Sequence, residues 1–390
     1  MTGSVQRLGD YFTSRRSRGE DGLPTLSVTL DRGLVRRDSL DRKTDTNLAP
    51  AQHLRVFPGD IAYNMMRMWQ GASGLAAEAA IVSPAYVVLA PKKNIDSLFA
   101  SYLFKTPEMI HRFWAYSYGL TNDRLRLYPN DIKRIPVHLP PLAEQRKIAE
   151  ILSTWDRAIE VTEALLATAR TQKRALMQSL LTGKRRFPEF AGQEWREVRL
   201  RELADVNPRP KAKPVDNRLT FLSMNAVSEE GDILQPVQGT LSQYGKGYTR
   251  FDEGDVLVAK ITPCFENGKG CHARNLINGV GAGSTEFHII RAHNASDERF
   301  LFHVVNSHPF RGRGGLNMQG SAGQRRVPPD FIRAFPLFAP VGQEQRARIG
   351  TILDTCDVVV QTHTHQIAHL RTEKKALMQQ LLTGKRRVAV

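Results

Sequence analysis

Apolar residues recur at a three-four spacing along two long stretches of this chain. In the first, Ile148, Leu152, Trp155, Ile159, Leu166, Ala169, Leu176 and Leu180 fall on one stripe. In the second, Ile349, Leu353, Cys356, Val360, Ile367, Leu370, Leu377 and Leu381 keep the same register. A heptad sustained over several repeats predicts a coiled-coil seam rather than one ordinary buried face. Thr162 and Lys173, or His363 and Lys374, are its polar interruptions. Pro140 and Pro141 bar helix before them and suit its first turn, and Thr182-Gly183 with Lys184–Arg186 ends it. Each helix is about 40 residues and therefore about 60 Å long. Two equivalent seams in one chain most simply pack on each other; the alternative is that each packs on its own domain or on a partner.

Elsewhere the period changes. Short β-type runs at Ile61–Tyr63, Ala85–Leu89, Asp255–Ile261 and Glu286–Arg291 alternate with turn clusters such as Asn267-Gly268. Ser97–Phe104 and Glu298–Asn306 are candidate helices at matching places. The expected fold class is α+β, with mixed domains at 1–140 and 187–340 and the long helices at 141–186 and 341–390.

The two halves repeat each other. KRALMQSLLTGKRR (Lys173–Arg186) and KKALMQQLLTGKRR (Lys374–Arg387) agree at twelve of fourteen positions, 201 residues apart. LPPLAEQRKIAEIL (Leu139–Leu152) answers APVGQEQRARIGTIL (Ala339–Leu353), with one extra residue that the alignment puts near Ala347. SPAYVVLAP (Ser83–Pro91) aligns with STEFHIIRA (Ser284–Ala292), and a Gly-Asp turn precedes apolar residues at both Pro58–Arg67 and Glu253–Thr262. The pattern is a duplication in which the tails stay alike while the domains diverge.

Composition narrows the partners. The 390 residues carry a formal charge of +16, with 41% hydrophobic and 24% charged residues, ordinary for a folded protein but for the excess of cations. A polyanion is the expected ligand, against the plain alternative of a solvated basic face. Three cysteines, Cys264, Cys271 and Cys356, make no disulfide framework. The first twenty residues hold no apolar core of a secretory leader, and no stretch is long enough to span a membrane, so a cytoplasmic protein is expected.

Catalytic motifs fail on inspection. Gly279–Gly283 (GVGAG) resembles a dinucleotide loop, but a strand-like STEFHII follows where a helix is required, so a mobile loop is expected. Gly183-Lys184 and Gly384-Lys385 lack the earlier Gly and following Ser/Thr of a phosphate loop and read as helix caps. His365 and His369 stand at ligand spacing, but Gln366 replaces the glutamate a zinc protease needs, and Cys264, Cys271 and His272 lack a CxxC spacing. Pro329-Asp330 with Glu373-x-Lys375 formally matches a nuclease pattern, and Val327–Asp330 does not match an amino-methyltransferase tetrapeptide. No catalytic residue and no metal ligand is expected.

Two variable basic domains, each closed by a helix that begins PPLAEQR-like and ends LLTGKRR-like, resemble the DNA-specificity subunit of type I restriction–modification enzymes. The resemblance rests on Glu144–Arg146 with Glu344–Arg346, the duplicated ALMQxLLTGKRR, Phe57–Asp60 with Gly254-Asp255, and GAGSTEFHII, and it covers essentially the whole chain. It implies two target recognition domains reading a bipartite, asymmetric DNA site, and two helices in an antiparallel coiled coil with pseudo-two-fold symmetry. It also implies two methyltransferase subunits and restriction/translocase subunits as partners, with S-adenosylmethionine, ATP and Mg on those partners and no cofactor here. Pro141 becomes Val341 and Trp155 becomes Cys356 in the second copy, which bears on equal binding of two methyltransferases. For DNA contact the Gly-bounded loops before the helices offer Asn122, Arg124 and Arg126, then Gln324, Arg325 and Arg326. Arg67 and Lys260 follow the paired Gly-Asp turns. The competing function is a non-catalytic coiled-coil scaffold with general nucleic-acid or acidic-protein binding; a third is a nuclease.

Overall fold

The computed structural model describes residues 6–40, 48–121, 123–321 and 323–389. They form two compact units, Met1–Glu163 with Gln366–Val390, and Ala164–His365. The long helices, Leu142–Leu180 and Gln343–Leu382, each contribute to both. Gly183 and Gly384 adopt left-handed φ of 69° and 71° just past the helix ends. The N–H groups of Arg185 and Arg386 bond back to the carbonyls of Ser179 and Gln380 at 3.1 Å, so both Gly-Lys pairs are helix caps.

The first unit has strands β1 (Phe12–Arg15), β2 (Thr25–Val28), β3 (Leu34–Arg36), β4 (Leu54–Val56), β5 (Ile61–Asn64), β6 (Ser73–Leu75), β7 (Ala80–Val82) and β8 (Tyr86–Pro91). They make two four-stranded sheets, β1-β8-β5-β6 and β3-β2-β7-β4, with β2–β7 the parallel pair. The second unit has β9 (Trp195–Arg199), β10 (Ala204–Val206), β11 (Arg218–Leu222), β12 (Val237–Thr240) and β13 (Thr249–Asp252). It continues with β14 (Val256–Ala259), β15 (Gly270–His272), β16 (Val280–Gly283), β17 (Phe287–Ala292) and β18 (Pro336–Pro340). Its sheets run β10-β17-β14-β15 and β12-β11-β16-β13, with β11–β16 again parallel. β9 and β18 add a ribbon that the first unit reduces to the bridge Arg7–Pro136. The duplication therefore extends strand for strand through domains whose sequences have diverged.

Two readings of the sequence need correction. Gly279–Gly283 is not a mobile loop: Val280–Gly283 is β16, buried throughout and hydrogen-bonded between β11 and β13. A Cβ on Gly281 would lie 2.0 Å from the Phe251 ring, so these glycines admit a ring from the neighbouring strand. The extra residue of the second copy falls in the turn before the helix, not near Ala347. Gln145 accepts from the Asp96 N–H at 2.9 Å and donates to the Pro140 carbonyl at 2.9 Å. Its counterpart in position is Arg346, which holds Asp297 at 2.8 and 2.9 Å and donates to the carbonyls of Pro340 and Val341. The two Glu-Gln-Arg triplets are thus one residue out of step in space: Glu144 and Gln145 occupy the buried places of Gln345 and Arg346.

Among the stripe residues Ile148, Leu152, Leu180, Ile349, Leu353, Val360, Ile367 and Leu381 are buried, and Trp155, Ile159, Leu166, Leu176, Leu370 and Leu377 half-buried. The seam's ends merge with the domain cores, Ile148, Leu152 and Leu381 in the first unit and Leu180, Ile349 and Leu353 in the second. Its polar interruptions pair across it. In the first unit Lys374 meets Asp156 and Arg387 meets Glu144, and in the second Lys173 meets Asp357 while Leu180 clusters with Ile349 and Leu353, so within each unit the two helix segments run antiparallel. The domain helix Ser97–Leu103 sends Tyr102 to donate to Asp156 at 2.5 Å. At the same place Glu298–Val305 presents His303, 2.9 Å from Asp354 and 3.9 Å from Asp357.

Asp357 and Lys173 are each 17% exposed, whereas Asp156 is 46% exposed. D357N should therefore destabilise by about 3 kcal/mol, the penalty of stranding a buried partner, and D156N by about 1 kcal/mol. Urea unfolding of both variants checks this, and equal losses would refute it. At the opposite end of the first seam Arg387 holds Glu144 through two bonds of 2.6 and 2.7 Å and keeps its carboxyl below the ordinary value. In the second unit both amide atoms of Gln345 are buried without a partner, while Arg186, at the place of Arg387, rests on the Trp195 ring. Q345E should recreate the pair and raise Tm by about 2–4 °C at neutral pH. A depressed folded-state pKa stabilises above the unfolded value, so the gain should vanish as pH falls through the carboxylate range below about 4.

Candidate nucleic-acid interface

Each unit closes a small hairpin just before its last short helix. Tyr118 and Arg126 exchange backbone bonds of 2.9 and 2.8 Å in the first, and Gln319 and Arg326 do the same at 2.9 and 2.8 Å in the second. Both hairpins dock on the segment that follows the Gly-Asp strand. Leu127 N–H donates to the Met65 carbonyl at 3.0 Å and Tyr63 Oη to the Leu127 carbonyl at 3.1 Å. In the second unit Val327 N–H donates to the Lys260 carbonyl at 2.9 Å and Thr262 N–H to the Arg325 carbonyl at 3.0 Å. The fold thus gathers Arg67, Arg124 and Arg126 into one neighbourhood, and Lys260, Gln324, Arg325 and Arg326 into another. Arg67 and Lys260 are not counterparts: Lys260 stands at the place of Met65, and Thr262 at that of Arg67. Asn122 lies outside the described residues.

The hairpins differ in electrostatics. Arg67, Arg124 and Arg126 are exposed, and among the described residues no carboxylate pairs with them. Leu120 at that hairpin's tip is fully exposed, and Tyr118 and Met66 are largely so. In the second unit Glu286 grips Arg326, accepting from Nε at 3.0 and 3.2 Å and from Nη2 at 2.8 Å, while Arg325 lies 3.7 Å from Glu266. A guanidinium fork held by a carboxylate has its orientation fixed before any ligand arrives. The Gly-Asp turns themselves are structural. Gly59 and Gly254 adopt φ of 91° and 86°, and buried Asp60 and Asp255 accept backbone N–H groups and pair with Arg15 and Arg291.

Among the described residues one group of potential metal ligands converges, His303, Asp354 and Asp357, which the sequence did not reveal. Three cations already serve it: Arg274 and Arg299 reach Asp354 at 3.2 and 2.7 Å, and Lys173 reaches Asp357. The negative charge is balanced without an ion, so these residues do not fit a metal. His272 is engaged by Glu298 at 3.1 Å and Arg274 at 2.7 Å, and burial pushes the Cys271 thiol up to about 12. His369 pairs with Glu373 and Asp330 with Arg333, each on its own helix. Two exposed basic segments escaped the sequence reading, Arg16-Ser17-Arg18 and Arg209–Lys213. Their signal is a cation at every second residue of an extended stretch.

The family model for the type I restriction modification DNA specificity domain matches residues 47–170. The chain is similar to the EcoEI specificity subunit of Escherichia coli, at 32% identity over 211 residues that cover 52% of this chain and 35% of that protein. Similarity to the MjaVIII specificity subunit of Methanocaldococcus jannaschii is 22% over 346 residues, covering 83% and 79% of the two chains. The alignments thus span about a third of the length of the Escherichia coli relatives, 35% and 36%. The fold is that of a type I restriction-modification S subunit from M. genitalium, with a TM-score of 0.60, 14% identity and coverage of 98% of this chain and 97% of that one. Residues 47–170 thus match a type I restriction modification DNA specificity domain, and the chain is similar in sequence and fold to type I specificity subunits.

The Arg326 hydrogen bonds hold the Glu286 carboxyl below its ordinary value. A lowered pKa keeps the pair intact above the usual glutamate range and releases it only as pH falls further. The Arg326 Nε–H resonance should accordingly stay protected from exchange at pH 5 and lose protection in E286Q at every pH. An equal exchange rate in both proteins would show that the pair does not order Arg326.

Proposed function

We propose that this chain is a non-catalytic DNA-reading subunit that recognises a bipartite, asymmetric duplex site, one half with each unit. The observation that carries it is the paired hairpin: one strand order, one docking place, and different exposed cations in each copy. Cations neutralise phosphates and give salt-dependent affinity, while arginine, glutamine and asparagine at a hairpin tip suit base edges in the major groove. Arg67, Arg124 and Arg126 would serve one half-site, with Lys260, Gln324, Arg325 and Arg326 on the other.

The near-identical helix ends support a second part of the proposal. Two methyltransferase subunits would each meet nearly the same surface, while each domain met a different base sequence. Restriction/translocase subunits would join that complex, and S-adenosylmethionine, ATP and Mg would be held by the partners. The work would be done in the cytoplasm, where the DNA is.

The test is a modified-base map of a methylation-free host expressing the chain with its cognate methyltransferase subunit. A single split motif, methylated only when both are present, is the expected result. A stable complex that modifies nothing would favour the scaffold reading. R325A should relax one position of the second half-site, by about 1–3 kcal/mol if Arg325 reads a base. A uniform loss over all sequences would instead assign that residue to phosphate.

A further inference from the structure

In each unit the connection between the first strands of the two sheets carries unpaired cations on a stretch of backbone that is pinned extended. In the second unit it follows β10 as Asn207-Pro208-Arg209-Pro210-Lys211-Ala212-Lys213-Pro214. Arg209, Lys211 and Lys213 are exposed, and Pro210, Ala212 and Pro214 between them turn inward. Asp252 accepts the N–H groups of Lys211 and Ala212 at 2.7 and 3.3 Å, Arg291 donates to the Arg209 carbonyl at 3.0 Å, and Arg250 donates to that of Ala212 at 3.4 Å. Ala212 packs with Leu219, Val280 and Ala282. A solvated linker requires none of this.

The first unit reaches the same geometry with different residues. After β1, Arg16 and Arg18 point outward, while Ser17 accepts the Arg55 N–H at 2.9 Å and Gly19 donates to the His53 carbonyl at 2.9 Å. A Cβ at Gly19 would lie 2.3 Å from the Pro50 oxygen, so the chain is pressed against its support. Phe57 stands where the other unit has Asp252, with the guanidinium groups of Arg15 and Arg55 each 4.6 Å from its ring centre. Among the described residues no carboxylate pairs with Arg16, Arg18, Arg209, Lys211 or Lys213. Alternate residues of an extended chain lie about 6.6 Å apart on one side, a row suited to a regularly charged polymer. In the second unit the row begins beside the hairpin, because His288 joins Asn207 at 3.0 Å to the Val327 carbonyl at 2.8 Å.

We infer that these two connections are phosphate tracks: they grip the backbone of duplex DNA irrespective of sequence, while the hairpins meet the bases. The inference rests on the DNA-reading function proposed above. Each phosphate neutralised adds about 0.9 to the steepness of log K against log salt on B-form DNA. The experiment uses the full chain in complex with its methyltransferase subunits and measures anisotropy of labelled duplexes, with and without the methylated motif, across salt concentrations. R209Q/K211Q/K213Q should make the slope shallower by about 2–3 and R16Q/R18Q by about 2, weakening both duplexes alike by about 10- to 100-fold at 0.15 M salt. R209K/K211R/K213R should keep the wild-type slope, and the methylated motif should be the same in every variant.

A wild-type slope in the glutamine variants overturns the inference, as does an equal loss in the charge-preserving variant, which would mean altered shape. A changed motif overturns it too, since the row would then be reading bases. A wild-type complex that prefers no sequence would sink the proposed function instead; the salt slopes on either duplex would still decide the tracks.

Discussion

A carboxylate on one long helix meeting an ammonium group on the other fixes the rest of each unit. Asp156 with Lys374, and Lys173 with Asp357, stand at the same place in the two copies. An apolar seam alone tolerates a slip by one heptad; a slip here would strand both ions of a pair in a half-buried position, and that penalty sets register and direction. The domain is tied to the same point, because Tyr102 donates to Asp156 and His303 lies against Asp354. The second copy has enlarged the knot with Arg274 and Arg299, which share the Asp354 carboxylate with the histidine. Domain, helix and helix therefore meet at one polar contact in each unit.

This arrangement makes the units unequal in how they are assembled. The second is continuous in sequence, from Ala164 to His365, whereas the first takes its last elements from Gln366 onward. Leu381 and Leu382 lie in the first unit's core and Arg387 caps its buried Glu144, so that core stays open until those residues are in place. Its closure spans more than two hundred residues of intervening sequence, yet the loop-closure penalty grows only with the logarithm of that length.

The long helices were legible because periodicity, prolines and glycine caps all spoke for the same element, and the Lys173 and Lys374 interruptions marked where the pairing would be. The sheets were legible only in part. β5, β8, β14 and β17 are mainly apolar, but β16 is Val-Gly-Ala-Gly, and nothing local says that Phe251 will fill the space those glycines leave. The Glu-Gln-Arg triplets misled because identity of letters hid a one-residue offset; burial, not spelling, shows that Gln145 and Arg346 do the same work. At the candidate interface the hairpin cations stood between glycines and could be found, whereas Arg209, Lys211 and Lys213 sit among prolines and match no motif. What supports the segment is Asp252, forty residues away in sequence, which accepts the N–H groups of Lys211 and Ala212.

Divergence between the two copies has a physical pattern. Where a side chain supports backbone geometry, its chemistry has been free to change as long as the geometry survived: two arginines against Phe57 in one copy correspond to Asp252 and Arg291 in the other. Exposed positions show the complement. The hairpins keep their backbone bonds and docking, yet one presents unpaired arginines and the other an arginine clamped by Glu286. A clamped fork gives up part of its charge to gain a fixed direction, and an unpaired cation keeps full charge and loses rotamer entropy when it binds. On the DNA-reading function proposed above, like scaffolds carrying unlike hairpins would discriminate in unlike ways, the first unit leaning on electrostatic attraction and the second on geometry. The charged contact between the long helices is common to both units, so the exposed hairpins can change without disturbing what holds each unit together.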